Sequence, residues 1–123
     1  MKALVVETSG TMRSVLRRIL SMRGFEVSEA ETGQQALEAL RKMGTADVVL
    51  VDWTLTGMSS LDFITSLRRQ TAHETMVLML AEREPGLRDL HRALIAGADD
   101  YLIKPFTSLQ IDEKMARAGF TWR

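Results

Sequence analysis

Three charged side chains each follow on a short apolar run: Glu7 after residues 3–6, Asp52 after 48–51 and Lys104 after 101–103. Thr8 and Ser9 prolong the first of these ends, and Trp53 and Thr54 the second. A further run, 76–81, closes on Ala81 and Glu82. If the runs are neighbouring strands, two carboxylates and one ammonium converge on a single edge. A carboxylate held there can act as a nucleophile toward a phosphoryl group, with the lysine neutralising its equatorial oxygens. A magnesium-type cation takes oxygen ligands from one or two carboxylates plus water, and it fits between Glu7 and Asp52.

Such convergence needs a particular scaffold. The apolar runs 3–6, 25–27, 48–51, 76–81 and 101–103 are mostly continuous, as strands buried on both faces should be. Between them the spacing is helical. Met12, Val15, Leu16, Ile19 and Leu20 form one stripe, and Leu37 with Leu40 a weaker second. Leu61, Ile64 and Leu67 form a third, Leu87, Leu90 and Leu94 a fourth, and Ile111 with Met115 a fifth. Thr32 with Gln35, Ser59 with Asp62 and Thr107 with Gln110 read as helix starts. Pro85 suits the first turn of the fourth helix and Gly119 the end of the fifth. Five alternating strand–helix units predict a doubly wound α/β sandwich around a parallel sheet, with its ligand site beyond the strands' carboxyl ends.

At 123 residues, 46% hydrophobic and 26% charged, the chain has the length and composition of one ordinary globular domain. Sixteen basic residues balance sixteen acidic ones, which argues against a nucleic-acid or membrane-surface binder. The absence of cysteine removes disulfide scaffolds, thiolate metal sites and thiol nucleophiles. The apolar run at the start is too short for a signal peptide or a span, so the expected location is cytoplasmic.

The stretches Leu4-Val5-Val6-Glu7, Val49-Leu50-Val51-Asp52-Trp53 and, above all, Gly97-Ala98-Asp99-Asp100-Tyr101-Leu102-Ile103-Lys104-Pro105-Phe106 resemble the receiver domain of bacterial response regulators. The resemblance runs from about Lys2 to Met115. It implies a flavodoxin-like (βα)5 fold with strand order 2-1-3-4-5. It further implies a two-component phosphorelay module in which Asp52 accepts the phosphoryl group, Lys104 pairs with it and Tyr101 is the switch aromatic. The bond from Lys104 to Pro105 is then cis. A magnesium ion would take Glu7, Asp52, the backbone carbonyl of Thr54 and, weakly, Thr8. Implied partners are a histidine kinase or phosphotransfer protein and a downstream protein on the α4–β5–α5 face, with a homodimer as a further option. The expected boundaries are one receiver domain over 1–119 and a short tail over 120–123, a regulatory module rather than an enzyme.

Departures from the family pattern bear on mechanism. Receivers place two consecutive acids after the first strand, and this chain has Glu7 and Thr8. Threonine supplies an oxygen without a charge, so metal binding and metal-assisted phosphorylation should weaken. Receivers place a hydroxyl where Ala81 stands, so a phosphoryl group at Asp52 loses a contact that would distinguish the two states. The smaller side chain leaves space for Tyr101 to turn inward, and Glu82 adds a negative charge nearby. Thr56 and Ser60 replace the usual proline and glycine in the loop after Asp52.

Blander readings accompany these. Glu7 and Lys104 could form a purely structural ion pair. His73 and His91 read as surface residues, the methionines as core, and Arg83, Arg88 and Arg92 as the basic side of the fourth helix. Phe120 and Trp122 either fold back or stay free for a partner. A receiver surface that works without phosphate is one alternative function. A flavodoxin-like FMN-binding redox protein is another, since Thr8-Ser9-Gly10-Thr11 resembles a hydroxyl-rich phosphate loop with Trp53 close by. No G-x-G-x-x-G follows any strand, which leaves a dinucleotide-binding dehydrogenase without support.

Overall fold

The apolar runs form the strands, and their length leaves room for little else. The structure, a computed structural model, describes residues 1–70 and 74–120. Along the chain lie β1 (Lys2–Val6), α1 (Gly10–Met22), β2 (Glu26–Ala30), α2 (Gly33–Met43), β3 (Val48–Asp52), α3 (Ser60–Gln70), β4 (Met76–Ala81), α4 (Leu87–Ala96), β5 (Asp100–Ile103) and α5 (Ser108–Arg117). All strand pairs are parallel and the order is β2-β1-β3-β4-β5, as the alternation and the resemblance lead one to expect. Every residue of β3 and β4 is buried, because helices cover both faces of the sheet's centre.

Successive strand residues point to opposite faces, and two cores result. One packs Leu4, Val6, Val49, Val51 and Met79 against Leu40, Phe63, Ile64, Leu67 and Ala93 of α2, α3 and α4. The other packs Val5, Leu50, Leu78 and Leu80 against Leu16, Leu20, Ile111 and Met115 of α1 and α5. Each such side chain, fully buried, contributes about 1.5–3 kcal/mol of transfer free energy. The order reverses between β1 and β3, which opens a crevice at their carboxyl ends.

Thr32 and Thr107 cap α2 and α5 through their side chains, Thr107 in a full capping box. Ser59 Oγ accepts from the Asp62 N–H at the start of α3. Other expectations need correction. β2 runs beyond 25–27 to Ala30, because register with β1 (Lys2↔Glu26 to Val6↔Ala30) recruits polar residues at an edge that needs no second apolar face. Pro85 precedes the Gly86 N-cap and so lies outside α4, and Arg83 lies in the loop before it.

The stripe Leu87–Leu90–Leu94 does not line the core. Leu87 and Leu94 are 87% and 47% exposed, as is Ile95 at 73%, while Ala93 is buried. The small residues Ala93 and Ala96 let α4 approach its neighbours closely and leave the long side chains outside. Phe120 folds back, its ring centroid 5.9 Å from that of Phe25. His91 is exposed; His73 and Trp122 lie outside the described residues. Among the described residues no helix is long and apolar enough to cross a membrane.

Candidate functional site

Asp52 is the last residue of β3, and Glu7 follows β1 directly, so the crevice receives both carboxylates. They are 4% and 1% exposed, which makes an internal cation necessary. Lys104, one residue beyond β5, supplies it. Its Nζ bonds Glu7 Oε1 and lies 3.5 Å from Asp52 Oδ1 and 3.4 Å from Glu82 Oε1. The Lys104 N–H donates to Ala81 O at 2.8 Å, and the Lys104–Pro105 bond is cis. Burial pulls the ammonium's pKa down. The bond to Glu7 and the attraction of Asp52, Glu7 and Glu82 outweigh that and raise it above the ordinary 10.5.

The remaining oxygens are also engaged. Thr54 contacts Asp52 through its N–H, which donates to Oδ1 at 3.1 Å. Thr8 Oγ1 donates to Asp52 Oδ2 at 2.9 Å, and the Ser9 N–H donates to Glu7 Oε2 at 2.8 Å. Arg13, which the sequence did not single out, and Ser60, noted there only as a departure in the loop after Asp52, hold this arrangement. Arg13 on α1 donates to the Glu7 and Thr8 carbonyls at 2.7 and 3.3 Å. Ser60 Oγ donates to Trp53 O at 2.8 Å, tying α3 to the loop after Asp52. An arginine within a turn or two of a loop's end is the available sequence signal for the first; for the second it is a hydroxyl where the family pattern has glycine.

As they stand, the donors are engaged by protein partners, so a divalent cation would compete with Lys104 for Glu7 and Asp52. Lys104 already places a positive charge between Glu7 and Asp52, and a protein donor occupies both oxygens of each carboxylate. The Thr8 hydroxyl spends its proton on Asp52. Among the described residues, no group of three His, Cys, Asp or Glu side chains is arranged to hold a metal.

The side chains of Ala81 and Tyr101 fall outside this cluster of bonds. Ala81 presents a methyl group to a cleft of about 260 Å³ lined also by Trp53, Thr54, Glu82, Arg83 and Pro85. Tyr101 does not turn into that space. Its hydroxyl bonds Glu84, and Lys114 Nζ lies 4.7 Å from the centre of its ring. The hydrogen bond to Glu84, with burial and the charges of Glu84 and Asp100, raises the phenol's pKa above 10.0.

Nor is Thr8-Ser9-Gly10-Thr11 an open phosphate loop. The Thr8 hydroxyl is taken by Asp52, the Ser9 hydroxyl caps α1 by accepting from the Met12 N–H at 3.2 Å, and Gly10 and Thr11 are already helical. Trp53 packs against the core of the α2–α3–α4 face. These engagements remove the grounds for the flavin-binding alternative.

Comparison with known proteins agrees with the geometry. Residues 3–116 match the family described as the response regulator receiver domain. The chain is 35% identical over 116 residues to the chemotaxis protein CheY1 of Helicobacter pylori, covering 94% of both chains. It is 34% identical to a chemotaxis protein CheY homolog of Campylobacter jejuni, covering 94% of this chain and 89% of that one. Its fold is similar to that of the chemotaxis protein CheY4 of Vibrio cholerae, with a TM-score of 0.86 at 28% identity, over 95% of this chain and 97% of that one.

Proposed function

The chain belongs to the response regulator receiver domain family, a regulatory component of two-component signalling, and on that premise we propose that Asp52 is its phosphoacceptor. One observation carries the reading: Asp52 ends β3 with Lys104 Nζ 3.5 Å from Oδ1, in a crevice where both are nearly buried. In the proposed step an Asp52 oxygen forms a bond to phosphorus as the donor's P–N bond breaks. The donor imidazole keeps the electron pair and takes up a proton. Lys104 meets the charge on the equatorial oxygens, leaving Glu7 in part to do so. Water later cleaves the acyl phosphate, returning the carboxylate and inorganic phosphate. The domain so described is regulatory, and it turns over only its own phosphoryl group.

Receivers generally bind Mg2+ at this pocket, and we propose weakened dependence on it here. Glu7 is committed to Lys104, and Thr8 supplies no second charge. The altered switch follows from Ala81, whose methyl cannot donate to a phosphoryl oxygen. Proposed partners are a histidine kinase or phosphotransfer protein upstream and a protein docking on α4–β5–α5 downstream. The exposed Leu87, Leu94 and Ile95 on α4 support that face, which would also serve a homodimer. The proposed domain spans 1–119, with Phe120 packed back onto it.

Incubation with acetyl phosphate, with and without Mg2+, followed by intact mass, tests the proposal. One phosphoryl group should appear on the wild type, depend little on the metal and be absent from Asp52→Asn. Ala81 and Thr8 also favour a second reading, a partner-binding surface independent of phosphate. A wild type that takes no phosphoryl group yet binds its partner equally well would establish that reading instead.

A further inference from the structure

β1 and β4 flank β3 on its two sides, so Asp52 has two neighbours from which a hydroxyl can reach it. On the β4 flank, Ala81 offers none, and Glu82 brings a carboxylate to within 3.4 Å of Lys104. On the β1 flank, Thr8 brings a hydroxyl to Asp52 Oδ2 at 2.9 Å. Charge and hydroxyl are thus exchanged between the flanks relative to the family pattern. Asp52 Oδ1 is held by the Thr54 N–H and Lys104, whereas Oδ2 has only the Thr8 hydroxyl among the described residues. A hydroxyl rotates freely about its C–O bond, so Oδ2 is the oxygen that can be released for attack.

We propose that Thr8 replaces the missing switch hydroxyl. It donates to Oδ2 of the free carboxylate, then to an oxygen of the phosphoryl group once the Oδ2–P bond has formed. The phosphorylated state would then be sensed by the loop between β1 and α1 rather than by the one between β4 and α4. This rests on Asp52 being the phosphoacceptor. The β1–α1 loop is built to transmit the change. Arg13 grips the Glu7 and Thr8 carbonyls from α1, and the Ser9 side chain caps the same helix. Arg13 and Arg17 in turn pair with Glu29 on β2 at 3.6 and 2.5 Å. By contrast, no side chain of the described β4–α4 loop hydrogen-bonds Asp52.

Acetyl phosphate is the probe: Oδ2–P forms as the donor's P–O bond breaks, and acetate leaves with the electron pair. Uptake is followed by intact mass, and amide hydrogen exchange is compared before and after loading. Thr8 is exposed, so Thr8→Val and Thr8→Ser leave the core intact. Thr8→Val should take up phosphate about tenfold more slowly, since the hydroxyl bonds the more highly charged phosphoryl oxygens more strongly than the Oδ2 it leaves. Thr8→Ser should stay within about threefold of wild type, since it keeps the hydroxyl. Loading should change exchange over residues 8–12 in wild type and Thr8→Ser, but not in Thr8→Val. Equal rates and exchange in Thr8→Val and wild type would overturn the proposal while leaving Asp52 as acceptor. Wild-type changes confined to residues 82–87 would overturn it in the same way. A wild type that gains no phosphoryl group would overturn both.

Discussion

Two cations hold opposite rims of the sheet, and they are satisfied in different ways. At the amino-terminal rim Arg68 of α3 donates to Thr75 O at 2.7 Å and to Gly97 O at 2.6 and 3.1 Å, with Asp99 Oδ2 at 3.2 Å. Its planar fork mostly spans backbone carbonyls, which carry no net charge and cannot be exchanged for a ligand. At the carboxyl-terminal rim Lys104 is a point charge divided among Glu7, Asp52 and Glu82. A guanidinium saturated by carbonyls locks one geometry. An ammonium shared by three carboxylates can shift between them when one changes charge. The first arrangement is a staple and the second is a site.

The largest effect that sharpens this contrast is expected from Lys104→Ala. It leaves two buried carboxylates beside Glu82 with no cation, and breaking a buried pair in this way costs about 3–5 kcal/mol. Urea unfolding at neutral pH measures the loss, and a value near zero would reduce Lys104 to a surface charge. The pH dependence has a defined sign. The folded pKa of Lys104 is raised, so its stabilisation is present below the ordinary 10.5 and is lost as the pH rises through the higher folded value. Wild type should therefore lose stability above 10.5, and Lys104→Ala should have a shallower alkaline limb that keeps the part due to Tyr101.

Gly97→Ala probes the staple. Gly97 has φ +125°, and an added Cβ would lie 2.7 Å from Arg68 Cγ. Backbone strain and displacement of the fork together are expected to cost about 2–4 kcal/mol, read from the same unfolding curves. Because Arg68 touches no carboxylate of the pocket, the variant should bind Mg2+ as wild type does, which separates the rims.

At the pocket itself, Thr8→Asp adds a charge next to Asp52 and gives Lys104 a further carboxylate to answer. Magnesium binding, followed through the fluorescence of Trp53 in a Trp122→Phe background, should tighten about tenfold, or about 1.4 kcal/mol. Unchanged affinity would mean that residue 8 stands apart from any cation the pocket can take.

What the sequence revealed follows the same division. Glu7, Asp52 and Lys104 were legible because each stands at the end of an apolar run, and parallel topology sends all such ends to one rim. The partners Thr8 and Glu82 were legible as residues but not as bonds. Threonine could as well have faced a metal, and only the side-chain torsion places its hydroxyl on Asp52. Arg68 was illegible. In the last turn of a helix an arginine looks like ordinary helix-end chemistry, and its carbonyl acceptors are 7 and 29 residues away. The α4 stripe misled because periodicity shows that a stripe exists without showing which side of the helix meets the sheet. There, alanines won the inner position by letting the helix sit close.

Tyr101 tests the contrast from outside either rim, and with the smallest effect. It is the chain's single tyrosine, so its phenolate absorbance reports one group. Its hydroxyl bonds Glu84 in the β4–α4 loop, and that bond is the main reason its pKa stands above 10.0. Glu84→Gln should bring the titration back toward 10.0, because a neutral amide gives up the charge that opposes phenolate. Asp52→Asn removes a charge of the same sign from the pocket, where Lys104, Glu7 and Thr8 already surround it. If the pocket reports through its β1 flank, that variant leaves the Tyr101 titration where it was. A shift of equal size in Asp52→Asn would show that pocket and aromatic share one network. Lys104 would then act across the β4–α4 loop despite the missing hydroxyl at residue 81.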